Sequence, residues 1–160
     1  MSANIIDLCN AVVDALNDAA EDTFSQTFTA EFEYVPEYTA PDADTLRVIV
    51  TDAGGKIPRA GRELITYADQ VRVVVLWRVK QSSTGIDTSR MAEALQLVDE
   101  IAEYLYDKNV GDDEEFIQSE EMQRGSGEKD KQHYFPGNLE DRVFAASLLI
   151  PYNRTKSRSR

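Results

Sequence analysis

The stretch Ala68–Lys80, ADQVRVVVLWRVK, decides how the rest of the chain can fold. It holds five valines, a leucine and the only tryptophan, with no Gly or Pro to interrupt it. β-Branched and aromatic residues suit a pleated, half-buried surface, so the stretch predicts a strand. Alternation places Val71, Val73, Val75, Trp77 and Val79 on one face, wholly apolar, which a helix layer covers most simply. The other face carries Arg72, Val74, Leu76, Arg78 and Lys80, apolar in the middle and basic at both ends. Such a face suits either a solvated sheet surface or one partly covered by another chain.

Working outward towards the N-terminus, Leu46–Thr51 predicts a second strand. It is separated from the first by Asp52–Arg62, DAGGKIPRAGR, whose three glycines, proline and three bases predict a flexible projecting loop. Phe28–Tyr38 alternates Phe28, Ala30, Phe32 and Tyr34 against Thr29, Glu31, Glu33 and Glu37, a strand with one wet side. Pro36 confines its end to a sheet edge, and Thr39–Thr45 reads as a short turn or loop. Before it, Ile5, Leu8, Cys9, Val12, Val13 and Leu16 recur at helical spacing within Ala3–Ala20, with Ser2 or Asn4 as cap.

On the other side, Gln81–Asp87 predicts a polar turn, and Asp87 or Thr88 caps a second helix running to about Tyr106. Its stripe is Met91, Leu95, Val98, Ile101 or Ala102, and Leu105. The acidic residues 107–141 predict an inserted loop, long enough to be functional or disordered, which Phe116, Ile117, Tyr134 and Phe135 could pin in part. Arg142–Tyr152 predicts the last strand, and Asn153–Arg160 a basic tail, disordered until it meets a partner. The order α-β-β-β-α-β predicts one α+β domain over residues 1–152. Its architecture is a two-layer sandwich: a mainly antiparallel four-stranded sheet with both helices on one face.

Composition bounds the function classes. At 160 residues, 42% hydrophobic and 29% charged, the chain fits one soluble domain, with no apolar run near a membrane span. Its N-terminus is acidic and lacks the basic start of a secretory signal, and a single cysteine points to a reducing compartment. The net charge of −12 is segregated: residues 1–45 hold ten acids and no base, residues 142–160 five bases and no acid. An acidic body disfavours wrapping nucleic acid, yet does not forbid a negatively charged channel through which DNA slides without sticking. The basic end calls for an acidic partner surface, a second copy of the chain among the options.

Cys9 lies on the apolar stripe of the first helix and reads as a small core residue, not a nucleophile. His133 stands alone in a polar loop. Gly54-Gly55-Lys56 fails the phosphate-loop pattern, with Val50 where the first glycine is needed and Ile57 where Ser or Thr should follow. The acidic runs Asp42–Asp44 and Asp112–Glu115 lack calcium-loop spacing. The expectation is no catalytic residue, cofactor or metal. Partner contact falls instead to Arg72, Arg78 and Lys80 on the strand, Lys56, Arg59 and Arg62 in the loop, and Arg154, Lys156, Arg158 and Arg160 in the tail. Their acidic counterparts would be Glu31, Glu33 and Glu37 on a neighbour.

Taken together, an acidic N-terminal helix, a strand ending in aromatics, a hairpin with a basic Gly/Pro loop, a Val-rich strand, a second amphipathic helix and the last strand RVFAASLLIPY resemble the tail terminator (tail-completion) proteins of long-tailed bacteriophages. The resemblance covers roughly Asn4–Tyr106 and Arg142–Tyr152, by element order, size and texture; the acidic residues 107–141 exceed the plain pattern. It implies a virion protein, assembled in the host cytoplasm as a ring, by expectation a hexamer. That ring would cap the tail tube, meet the head connector and let DNA through its lumen without specific binding. The alternatives are another head–tail joining protein (stopper or adaptor), or a small ligand-binding or enzymatic α+β domain.

Overall fold

The computed structural model describes residues 4–34, 46–57, 64–78, 81–82, 85–86, 89–119, 121–124 and 143–157. The valine-rich stretch, described as far as Arg78, lies in β3 (Leu64–Arg78), which starts four residues earlier than the sequence implied and follows β1 (Ala30–Phe32) and β2 (Arg47–Lys56); Val79 and Lys80 lie outside the described residues. A hairpin of β4 (Gln81–Ser82) and β5 (Gly85–Ile86) then forms a separate two-stranded sheet where a plain polar turn was expected. The expected helix caps Asp87 and Thr88 lie outside the described residues.

β3 pairs antiparallel with β8 (Val143–Ser157) without a register break, from Leu64 opposite Ser157 to Arg78 opposite Val143. Its other edge pairs antiparallel with β2. β6 (Ile117–Gln118) and β7 (Gln123–Arg124) take the far edge of β8, so the last strand in sequence is central in space. Among the described residues the architecture is mixed α+β with two helices, as expected, but the sheet has six strands rather than four.

It is also mixed in direction, because β1 runs parallel to β2, with Ala30 opposite Val48 and Phe32 opposite Val50. Parallel neighbours need a connection of about a dozen residues or more to return the chain to the starting end. Residues 33–46 supply that length. Of the expected strand Phe28–Tyr38, residues 35–38 lie outside the described residues, and among residues 28–34 the ladder takes in Ala30–Phe32 alone.

The acidic stretch after the second helix is partly ordered into the core. Phe116 is buried and bridges back to Val110 around a 3-10 turn at Asp112–Glu114. Gly111 permits this turn, since its φ is +94° and a Cβ there would sit 2.6 Å from the Phe116 ring. At the C-terminal end, residues 153–157 continue β8 rather than leaving the sheet as a tail.

The helices are α1 (Ile5–Asn17) and α2 (Ser89–Leu105). Asn4 caps α1 by accepting from the N–H groups of Ile6 and Asp7, and the Asp7 carboxylate accepts from the Asn4 N–H in return. At the other end, the Asn17 amide both donates to and accepts from the Ala30 backbone, fixing α1 to the edge strand. Tyr104 of α2 donates to the Ala15 carbonyl at 3.1 Å, tying the helices together. Both helices bury their stripes in one cluster with Val48, Val50, Val71, Val73, Val75, Ala146, Leu148, Ile150 and Tyr152.

The opposite face is buried at its centre too. Ile49, Val74, Leu76 and Ala145 are each at most 4% exposed and stand apart from the helix-side cluster. Trp77 shares the parity of Val75 but is only half-buried, with the Arg90 guanidinium 5.0 Å above its ring. It marks the border of the core rather than its floor.

Candidate interaction surfaces

The expected partner-contact cations that the structure describes fall into two groups. Arg72 is half-buried on the face away from the helices, opposite Leu149 and Thr51. Arg78 is six residues further along β3, about 20 Å at strand rise, so these two do not form one compact patch. Lys80, Arg59, Arg62, Arg158, Arg160 and Glu37 lie outside the described residues.

The second group is brought together by strand pairing. The end of β2, the start of β3 and the end of β8 share one end of the sheet, with Lys56 opposite Ala68, Ile65 opposite Lys156 and Tyr67 opposite Arg154. Basic segments about a hundred residues apart in sequence thereby converge. Lys56 and Ile57 are exposed, Ile57 by 67%, and Leu64 by 49%.

Arg154 is committed within its own chain. Its Nε donates to Asp69 Oδ2 at 2.9 Å, its guanidinium lies 3.9 Å over the Tyr67 ring, and both ion-pair side chains are at most 13% exposed. A buried charge of this kind requires its partner, and the pairing keeps the base of this sheet end rigid. Gly55 allows the strands to close here: a Cβ would come 2.5 Å from the Ala68 carbonyl oxygen. Asp69 was missed in sequence, though it falls on the Val71 parity, where a charge on an apolar face needs a partner.

The acidic residues divide in the same way. Glu31 and Glu33 are taken up inside the chain by Arg47, at 3.4 and 2.6 Å. Burial alone would lower the Arg47 pKa, and its contacts with Glu33 and then Glu31 more than reverse this. What faces solvent is the polar side of α1. Between it and residues 108–116 lies an open groove of about 1090 Å³, lined by Asp7, Asp14, Asp18, Asp112 and Glu115 together with Ala11, Ala15 and Phe116. Its one cation, Lys108, sits with its ammonium 3.9 Å over the Tyr104 ring. A second cleft of about 690 Å³ lies between the end of α2 and residues 118–122.

Two buried groups complete the chemistry. Burial, with Asp52 and Asp69 adding to it, pushes the Cys9 thiol up to about 12. A thiol held neutral in this way is a poor nucleophile. Among the described residues, the buried Tyr152 hydroxyl has no hydrogen-bond partner. Burial raises its pKa, and the neighbouring Gln118 amide offsets part of that rise without closing a bond. Gln118 is engaged elsewhere, accepting from the Asp107 N–H and donating to the Leu105 carbonyl. Among the described residues, no three His, Cys, Asp or Glu side chains are grouped to hold a metal ion. No protein-family model matches the chain, and no curated protein matches it.

Proposed function

We propose that the chain is a structural subunit of a long-tailed bacteriophage, a tail terminator. It would form a ring at the head-proximal end of the tail, cap the tube and join it to the head connector. The observation that carries this reading is the separation of unlike surfaces on one α+β frame. A sheet end edged by Lys56, Ile57 and Leu64 shares no residue with a groove bearing five acids. Surfaces that differ and do not overlap favour head-to-tail contacts, which close into rings when the rotation allows. An acidic balance of −12 suits a lumen that DNA crosses without sticking. The role proposed is non-catalytic, in keeping with a buried, neutral Cys9.

The test is to add the purified full chain to growing tail tubes. A ring at one tube end, seen by electron microscopy, together with arrest of tube growth, is the expected result. Unimpeded growth with no ring would remove the terminator role. Binding to head connectors but not to tubes would assign the chain to the stopper or adaptor class instead.

A further inference from the structure

Among the described residues, one side of the six-stranded sheet ends at β1. An end strand presents a row of backbone N–H and C=O groups that another strand can pair with. Along a strand these groups point alternately to either side. The Glu33 N–H donates to the Val50 carbonyl at 3.1 Å, on the β2 side, so Ala30 and Phe32 turn theirs outward. The segment Phe28–Tyr34, FTAEFEY, alternates aromatic or small residues with polar ones and contains neither Gly nor Pro, which suits it to strand pairing. Charged side chains commonly guard such an edge. Here Glu31 and Glu33 both face Arg47, which offsets their charge.

Asn17, the last residue of α1, meets Ala30 on that outward side. Its amide nitrogen donates to the Ala30 carbonyl at 3.1 Å, and its amide oxygen accepts from the Ala30 N–H at 2.8 Å. The same reciprocal exchange joins two opposed residues of an antiparallel strand pair. An asparagine carries both the acceptor and the donor that this exchange requires, whereas a carboxylate lacks the donor. The contact is held in place from both partners. Asp18 closes the end of α1 by donating to the Asp14 carbonyl, and Ala30 is only 3% exposed, in one core cluster with Leu16 of α1.

We propose that Asn17 plugs the β1 edge: by occupying both outward backbone groups of Ala30, it keeps the β1 edge of a second copy from adding to the sheet. A second β1 is the strand to be excluded, because two such edges are alike in sequence and Arg47 removes the repulsion between their glutamates. Pairing of like edges would be self-complementary and would join copies two by two. α1 thus covers the helix-side face of the sheet and also closes its end. Subunits that associate as a ring do so through other surfaces, and a chain that forms no ring needs the plug equally.

Asn17→Ala in the full chain tests this, with Asn4→Ala as the control, since the latter weakens α1 at its other end and leaves Ala30 closed. Thermal melts first establish that both variants fold. In dilute solution the Ala30 amide is expected to exchange with deuterium roughly tenfold or more faster in Asn17→Ala than in Asn4→Ala, as an opened hydrogen bond requires. At higher concentration, sedimentation is expected to show Asn17→Ala associating at roughly tenfold lower concentration than the control or the unaltered chain, with exchange at Ala30 slowed again. If Asn17→Ala does not melt cooperatively, Asn17→Ser is read in its place, because its hydroxyl meets one of the two backbone groups but not both. Rapid exchange at Ala30 with association no stronger than the control's overturns the proposal and leaves Asn17 as a mooring for α1. An Ala30 amide still protected in dilute Asn17→Ala overturns it too, because Asn17 is then not what closes the edge. Neither result touches the ring reading, which fails instead if the unaltered chain neither self-associates nor binds tail tubes.

Discussion

Gly55 shows how much a single position can decide. It faces the β3 backbone closely enough that a Cβ would lie 2.9 Å from Asp69 Cα as well as against the Ala68 oxygen. Gly55→Ala must push two backbones apart and should cost about 1–3 kcal/mol, read from the urea midpoint. Nearby, Asp69→Ala strands a buried guanidinium and should cost about 3–5 kcal/mol. The pair change Asp69→Leu with Arg154→Met should recover most of that loss; no recovery would show that the charges, not their burial, matter. Cys9 gives the pH dependence. Its folded pKa is raised to about 12 from an ordinary 9.0, so the neutral thiol favours the fold. That contribution is complete below pH 9 and is lost as pH rises towards 12. Denaturation midpoints should therefore fall between pH 9 and 11, and Cys9→Ala should flatten part of the slope. Core membership of Cys9 was legible from helical spacing. The half-burial of Trp77 was not, because parity gives a face but not how far along the strand the helix layer reaches. Trp77→Ala should accordingly cost about 2 kcal/mol, below the about 3–5 typical of fully buried aromatics.

At the scale of elements, both helices and the three long strands were legible, since each carries a sustained period and α1 carries its own stop and start signals. Asn4→Ala removes the cap and one side of the reciprocal pair, with an expected loss of about 1 kcal/mol in a thermal or urea melt. The short strands β6 and β7 were not legible. Two-residue strands have no period to detect, and their pairing depends on β8 arriving from later in the chain. The parallel β1 was missed for a related reason. Glu31 and Glu33 alternate as in any half-wet strand, and nothing local to them states direction; the Arg47 contacts that fix them come from the neighbouring strand. Strand lengths were underread where polar residues such as Thr66 and Arg154 interrupt the apolar alternation while remaining in the ladder.

For the whole molecule, the sequence displayed the charge segregation but not its geometry. The basic residues 56–62 and 153–160 read as a loop and a tail, two unrelated features. The β2–β3 and β3–β8 registers set Lys56 opposite Ala68 and Ala68 opposite Asn153, so the described parts of the two segments lie close together. Truncation experiments change meaning accordingly. Removing 153–160 takes five residues out of β8 and should lower thermal stability as well as any assembly, whereas removing 158–160 alone leaves the described strand intact. A deletion of 153–160 that leaves the melt unchanged would show that this end of β8 adds nothing to the fold.

The central position of β8 also bears on the order of events during synthesis. Until residues 143–157 are available, β3 has a fifteen-residue edge with no partner, and β6 and β7 have nothing to pair with. The nascent chain must keep that valine-rich edge from its neighbours on the same message while the last strand emerges. Closure joins segments far apart in sequence, a slow, high-contact-order step. Chaperone dependence during expression, and a refolding rate far below that of a helical domain of this size, are therefore consequences of placing the last strand in the middle.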